Sequence, residues 1–189
     1  MNSQKFLKKI TFISLIKDNP EDTLILLKYL SSLNFKISHL IADGSKNNQK
    51  RIFEKFNNLK FKYYYFGEDK DYKALYKKIY KTLNKVKTKY VYFLDQGDYL
   101  NFDTLISFQK VMEMNNQFSC ALGEVFNFKI KNEEIKLISK NIYNFKITKT
   151  KSALSRVLSN FQSRSYHALH KTNILKKSVN IINKFKIEC

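Results

Sequence analysis

The chain has 189 residues, of which 43% are hydrophobic and 15% aromatic, so it can build a core and is not disordered by composition. Only two cysteines occur, Cys120 and Cys189, which excludes a disulfide framework and favours a reducing compartment. The formal net charge is +19, but its basic residues are scattered and are nearly all lysines. This pattern favours a solvated surface over a specific nucleic-acid site.

The predicted elements alternate between strands and helices over the first two-thirds of the chain, which is typical of βαβ units and a mostly parallel sheet. The predicted strands are Ile10–Ile16, Ile37–Ala42, Phe61–Phe66, Tyr90–Leu94 and Phe118–Phe128. Four helices are predicted. The first begins at Asn19-Pro20, and the second follows the turn Asp43-Gly44-Ser45. The third runs from Tyr72 to Val86, and the fourth carries Leu105, Phe108 and Val111 on one face.

The pattern loosens after residue 128, although nothing there requires a second domain. Asn132 and Glu133 are expected to turn a hairpin, and the last segments predict a helix over Ala153–Leu158, a strand over Tyr166–His170 and a helix over Ile174–Phe185. We therefore expect a single domain spanning residues 1–189.

The first apolar run, Ile10–Ile16, is too short for a signal peptide and continues directly into Lys17 and Asp18. No stretch has the roughly 18 to 20 apolar residues that cross a bilayer. We expect a cytoplasmic protein whose positive charge allows peripheral contact with the inner face of the membrane.

Acidic and polar residues follow the predicted strands, where open α/β sheets bind their ligands. They are Lys17 and Asp18 after the first strand, Asp43 and Ser45 after the second, Glu68, Asp69 and Asp71 after the third, and Asp95 and Asp98 after the fourth. Such carboxylates suit Mg²⁺ or Mn²⁺, which could neutralise a departing diphosphate. The alternative is that they form turns and helix caps, and Asp69 and Asp71 in particular look like helix-start residues.

Two motifs carry a resemblance to a known family. The Asp43-Gly44-Ser45 turn after the second strand and the run Tyr90–Leu100, which reads YVYFLDQGDYL, resemble the family 2 glycosyltransferases of the GT-A fold, and in particular bacterial glycosyltransferase-domain proteins. The resemblance covers residues 10 to about 126. It implies an α/β, GT-A-like (Rossmann-like) domain with a largely parallel, mixed central sheet flanked by helices.

The function implied by the resemblance is that of a hexosyltransferase-like enzyme. It would move a sugar from a UDP- or GDP-type nucleoside diphosphate donor to a hydroxyl of a cell-surface glycan or lipid-linked acceptor. Residues 1–128 would form the nucleotide-sugar-binding half, and residues 129–189 a partial, truncated acceptor-side half. No specific nucleic-acid partner is expected.

The resemblance also implies roles for individual residues. Asp43 would contact the nucleoside beside Ser45, and Lys17 and Asp18 would line the base pocket. Asp95 would contact ribose and, with Asp98, hold Mg²⁺ or Mn²⁺. Relatives commonly have adjacent acids where this chain has Gln96 and Gly97, so a non-catalytic nucleotide-sugar-binding protein is the first alternative.

Several further residues have two interpretations each. Glu124 is a candidate general base or a residue of a solvated strand edge. His167 and His170 could share a metal on a helix, but a strand would place them on opposite faces. The segment Lys60–Tyr65 could stack nucleic-acid bases or form a strand with one buried face, and a basic RNA-binding protein is therefore the second alternative. Arg156 and Arg164 are expected at the surface.

Overall fold

A computed structural model of the protein describes residues 3–33, 36–131, 134–141 and 167–185. The chain divides into two compact units, Met1–Ala121 together with His167–Cys189, and Leu122–Tyr166. The division expected at residue 128 falls inside a strand of the second unit. The assignment of donor and acceptor roles to two halves of the chain stays a prediction.

The elements follow the alternation that the sequence predicts. In chain order they are α1 Ser3–Leu7, β1 Ile10–Ile16, α2 Pro20–Ser32, β2 Ser38–Asp43, α3 Lys50–Phe53, β3 Phe61–Tyr65, α4 Tyr72–Leu83, β4 Tyr90–Phe93, α5 Phe102–Met114, β5 Cys120–Ala121, β6 Val125–Lys131, β7 Glu134–Asn141, β8 Leu169–Lys171 and α6 Thr172–Phe185.

The first unit is built on a six-stranded sheet with the order β3-β2-β1-β4-β8-β5. The first four strands in that order are parallel, and β8 runs antiparallel to both of its neighbours. Ile16 pairs with Asp43, and Asp43 pairs with Tyr65, so β1, β2 and β3 end at the same edge of the sheet. The mixed, mostly parallel sheet of the expected GT-A-like fold is confirmed.

Side-chain caps fix where three helices begin. Asn19 caps α2 by accepting from the Asp22 N–H, and Pro20 occupies the first helical position, as predicted. Asp71 caps α4 by accepting from the Ala74 N–H at 2.7 Å, and Asn101 caps α5 in the same way. The cap at Asn101 and the short helix α1 were not predicted.

The core lies where these helices pack on the sheet. Six of the seven residues of β1 are fully buried, which is expected of a central parallel strand covered on both faces. One cluster joins β1 and β4 to α2 and α5, and a smaller one gathers around Phe53 beside Ile16, Leu27 and Ile41. Every helix among the described residues is too short or too polar to span a bilayer.

Three expectations about elements are wrong. The strand predicted over Phe118–Phe128 is two strands, because β5 pairs with β8 in the sheet whereas β6 pairs with β7. Val111 is 45% exposed and Met112 occupies the core position instead. The predicted strand Tyr166–His170 begins only at Leu169 and extends to Lys171.

The second unit contains the predicted hairpin. Strands β6 and β7 are antiparallel, with Lys131 paired to Glu134 and an irregularity between Asn127 and Phe128. The turn residues Asn132 and Glu133, the predicted helix Ala153–Leu158, and Arg156 and Arg164 lie outside the described residues.

Candidate functional site

The loop that follows β1 is held against the loop that follows β2. Asp18 has a positive φ of 45°, a backbone conformation that few residues other than glycine adopt. Its N–H donates to Ser45 Oγ at 2.9 Å, and its Oδ1 accepts from the Lys46 N–H at 2.8 Å. These two bonds fix an exposed carboxylate at the carboxyl edge of the sheet.

Asp43 ends β2 with a fully buried side chain. Its two oxygens accept from the Ser45 and Gln49 N–H groups, each at 2.8 Å, and from the Tyr63 hydroxyl. Burial, and then the Asp43 carboxylate, raise the pKa of Tyr63. The Asp43 carboxylate therefore organises the loop after β2, and its contact with a nucleoside stays a prediction.

Buried amide and hydroxyl groups extend this network to α2. Gln49 Nε2 donates to Ser45 Oγ at 2.8 Å, and Gln49 Oε1 accepts from the Thr23 hydroxyl at 2.8 Å. Both Gln49 and Thr23 are buried, so their polar groups need these partners. Asp43, Ser45, Gln49 and Thr23 thus form one hydrogen-bonded chain from the end of β2 to the first turn of α2.

Gln96, which follows β4, closes the network from the other side. Its Oε1 accepts from the Lys17 N–H at 2.9 Å, and its Nε2 donates to Asn19 O at 2.7 Å and to Thr23 Oγ1 at 2.6 Å. One amide thereby holds two residues of the loop after β1 and one residue in the first turn of α2. Nothing in the sequence pointed to this role, because a glutamine between two aspartates looks only like a missing acid.

Asp95 and Asp98 lie together after β4. Asp95 Oδ1 accepts from the Leu15 N–H at 3.3 Å, and the Asp95 N–H donates to Asp98 Oδ2 at 3.2 Å. His167 Nδ1 lies 3.7 Å from Asp98 Oδ2. Burial raises the pKa of Asp98, and the nearby His167 opposes that shift. The structure thus brings one of the two candidate histidines, His167, to the site from a position just before β8.

The fit of this pair to a divalent ion is limited. Within the described ranges, no three His, Cys, Asp or Glu side chains are grouped to hold a metal. Mg²⁺ in phosphate-binding sites, however, is commonly held by one or two carboxylates and completes its shell with phosphate and water oxygens. Asp95 and Asp98 suit that role, and their binding of Mg²⁺ or Mn²⁺ stays a prediction.

Asp69 is not a helix-start residue, because α4 begins at the Asp71 cap and Asp69 is buried against Lys78. Lys78 is itself 2% exposed, so each buried charge has its partner. The Lys17 ammonium donates to Asp69 O, which ties the first loop to the loop after β3. Gly44 lies against this ion pair, and any Cβ there would overlap the Asp69 carboxylate.

Three further candidate residues lie in the loop after β3, in the second unit and in β8. Glu68 is exposed after β3. Glu124 is exposed and belongs to the second unit, so its role as a general base stays a prediction. His170 lies in β8 with 9% of its surface exposed.

The comparisons with known proteins support the fold. The sequence matches no protein-family model and no curated protein. The crystal structure of S. aureus TarS 1-349 superposes with a TM-score of 0.57 at 18% identity, covering 89% of this chain and 48% of that one. TarS 1-349 in complex with UDP superposes with a TM-score of 0.56 at 19% identity, covering 89% of this chain and 48% of that one. TarS 1-349 in complex with UDP-GlcNAc superposes with a TM-score of 0.54 at 19% identity, covering 89% of this chain and 47% of that one. The chain therefore has a GT-A-like fold and spans about half the length of these similar structures.

Proposed function

We propose that the protein binds a nucleoside diphosphate sugar of the UDP or GDP type and transfers the sugar to a hydroxyl of a cell-surface glycan. One observation carries this proposal: polar residues after β1, β2 and β4 are joined in a single network at the carboxyl edge of the sheet. Ligands of open α/β sheets bind at that edge. The similar fold of TarS, whose structures contain UDP or UDP-GlcNAc, supports the same class of donor.

Exposure suggests how the donor-side roles are divided. The side chains of Lys17 and Asp18 are exposed and can meet a base or ribose directly. Asp43 is buried, so in this proposal it acts by holding Ser45 and the loop that faces the nucleoside. Asp95 would contact ribose.

Asp98 would hold Mg²⁺ or Mn²⁺ together with Asp95. A bound ion would supply positive charge to the departing diphosphate. His167 lies beside Asp98, where its imidazole can orient that carboxylate by charge or hydrogen bonding.

A second candidate function is nucleotide-sugar binding without transfer. It is favoured by Gln96, whose amide is engaged with Lys17, Asn19 and Thr23 and adds no acidic ligand to the site. Radiolabelled nucleotide sugars distinguish the two functions. A transferase releases or transfers labelled sugar, whereas a binding protein retains intact donor.

The metal role of Asp98 is tested by titrating UDP with Mn²⁺ against the native protein, Asp98→Asn and the control Asp103→Asn. Asp103 is exposed in the first turn of α5, so its substitution also removes one nearby carboxylate. We expect saturating ligand, at about 100 times Kd, to stabilise the native protein by about 2.7 kcal/mol. Asp98→Asn should bind roughly tenfold more weakly, since a bond to a charged group contributes about 1.5 to 3 kcal/mol.

The control variant should keep the native affinity. An equal increase in Tm for the native protein and Asp98→Asn would show that Asp98 does not hold the metal. Absence of any UDP or GDP binding by the native protein would contradict the proposed function itself.

A further inference from the structure

A groove of about 560 Å³ lies between strand β3 and the last turn of α4. It is lined by aromatic and basic side chains, including Tyr64, Tyr65, Phe66, Lys81, Asn84 and Lys85. None of its lining residues is acidic. A volume of this size is within the range of small-ligand pockets and can hold one or two sugar rings.

Residues of both faces of β3 line the groove, Tyr63 and Tyr65 from one face and Tyr64 from the other. On one face, Phe61 and Tyr63 pack against Phe53 with ring centroids 5.2 and 5.3 Å apart. On the other face, Tyr64 lies toward α4, with Lys85 Nζ 4.5 Å from its ring centroid. Lys60–Tyr65 thus contains the expected strand, whose Phe61 and Tyr63 pack on the core although no residue of β3 is fully buried. β3 is the edge strand of the sheet, and Tyr64 is only partly buried there.

The charge of the groove selects for an anion. Lys81 and Lys85 are exposed and lie one helical turn apart on α4 and its C-terminal extension. Within the part of the chain that the structure describes, neither ammonium has a carboxylate at ion-pair distance. The Tyr64 ring holds the Lys85 ammonium through a cation–π contact, which leaves its N–H donors available to a ligand.

We propose that this groove binds an anionic oligosaccharide, and, resting on the proposed function, that it is a subsite for the acceptor. The lysines match carboxylate or phosphate groups, the tyrosine and phenylalanine rings offer flat apolar surface, and the Asn84 amide can bond sugar hydroxyls. The groove also adjoins the candidate donor site. The Tyr65 hydroxyl donates to Lys46 O at 2.9 Å, and the Lys46 N–H holds Asp18.

A single-stranded nucleic acid fits these observations less well. Sites for such strands extend along about 4 to 16 nucleotides, with successive bases stacked on aromatic rings. Here the lining is confined to one strand and one helix end, its cations are lysines, and one of its polar groups is a neutral amide. The groove is therefore better matched to a short, charged glycan segment.

The test is a titration of the native protein with a hyaluronan hexasaccharide, which carries carboxylates, with chitohexaose as a neutral probe and hexathymidylate as a nucleic-acid probe. We expect hyaluronan to bind with a Kd of about 0.1 to 1 mM. The double variant Lys81→Gln/Lys85→Gln should weaken this binding about fivefold or more, and Tyr64→Ala should weaken it too. The control Lys8→Gln/Lys28→Gln loses the same charge elsewhere and should bind as the native protein does.

Three outcomes would overturn the proposal: no hyaluronan binding by the native protein, an equal loss in the control pair, or tighter binding of hexathymidylate than of hyaluronan. The UDP titration on the same variants separates this result from the proposed function. We expect the groove variants to keep the native affinity for UDP. Hyaluronan binding without any UDP binding would contradict the donor site and leave the glycan groove in place.

Discussion

At the scale of single residues, Gln96 is a residue that holds the loop after β1 in place by hydrogen bonds. Its amide accepts one hydrogen bond and donates two, and the partners are a backbone N–H, a backbone carbonyl and a hydroxyl. An ionised carboxylate only accepts hydrogen bonds, so a glutamate in this position would set an oxygen against Asn19 O. The residue that looks like a lost acid is thus suited to holding the loop that carries Lys17 and Asp18.

We expect Gln96→Glu to lower the free energy of unfolding by about 1 to 2 kcal/mol, because the Asn19 carbonyl and Thr23 hydroxyl lose their donor. It should also weaken UDP binding by loosening the loop. Urea unfolding and a UDP titration measure the two effects. Gln117→Glu, an exposed change of the same kind after α5, should leave both values unchanged. If Gln96→Glu were as stable as the native protein, the hydrogen bonds of the Gln96 side-chain amide would not be what holds the loop.

At the scale of elements, the features that the sequence predicts most accurately are those that depend on residues adjacent in the chain. The caps Asn19 and Asp71 and the β-branched run of β1 depend on a few adjacent residues, and the structure confirms them. The choice of strand partner depends on residues far along the chain. The apolar run from Phe118 was therefore predicted as one strand, although its two parts pair with β8 and β7.

The pairing of β1 and β2 encloses a histidine whose protonation should make stability depend on pH. His39 Nε2 lies 2.9 Å from Ser14 Oγ, and burial lowers the pKa of His39 to about 3. The unfolded side chain has a pKa of about 6.5. Between these values the unfolded chain binds more protons than the folded one, so stability is lost as pH falls.

We expect the native protein to lose about 2 kcal/mol of unfolding free energy between about pH 7 and pH 5 from this histidine alone. His39→Gln should be less stable than the native protein near pH 7, because a buried contact is disturbed, but should lose much less on acidification. Urea unfolding at the two pH values and constant ionic strength measures both. Equal pH slopes for the two proteins would show that His39 is not responsible.

At the scale of the whole molecule, the convergence of the strand ends could be predicted, but the direction of each carboxylate could not. Parallel topology predicts that residues after β1, β2 and β4 meet at one edge. Whether an acid faces outward depends on its distant partners. Asp43 is turned inward by Tyr63 and Gln49, and Asp69 by Lys78, whereas Asp18 stays exposed.

The excess of positive charge should also affect the stability of the whole molecule. Like charges on a folded surface repel one another, and at about 0.1 M salt the screening length is only about 10 Å. With a net charge of +19, we expect Tm to rise by several degrees between about 0.05 and 0.5 M sodium chloride. Lys28→Glu/Lys55→Glu/Lys87→Glu reverses three exposed charges, each reversal removing two positive units, and should therefore show a smaller rise. A Tm that is constant or falls with salt in the native protein would show that surface repulsion does not limit its stability.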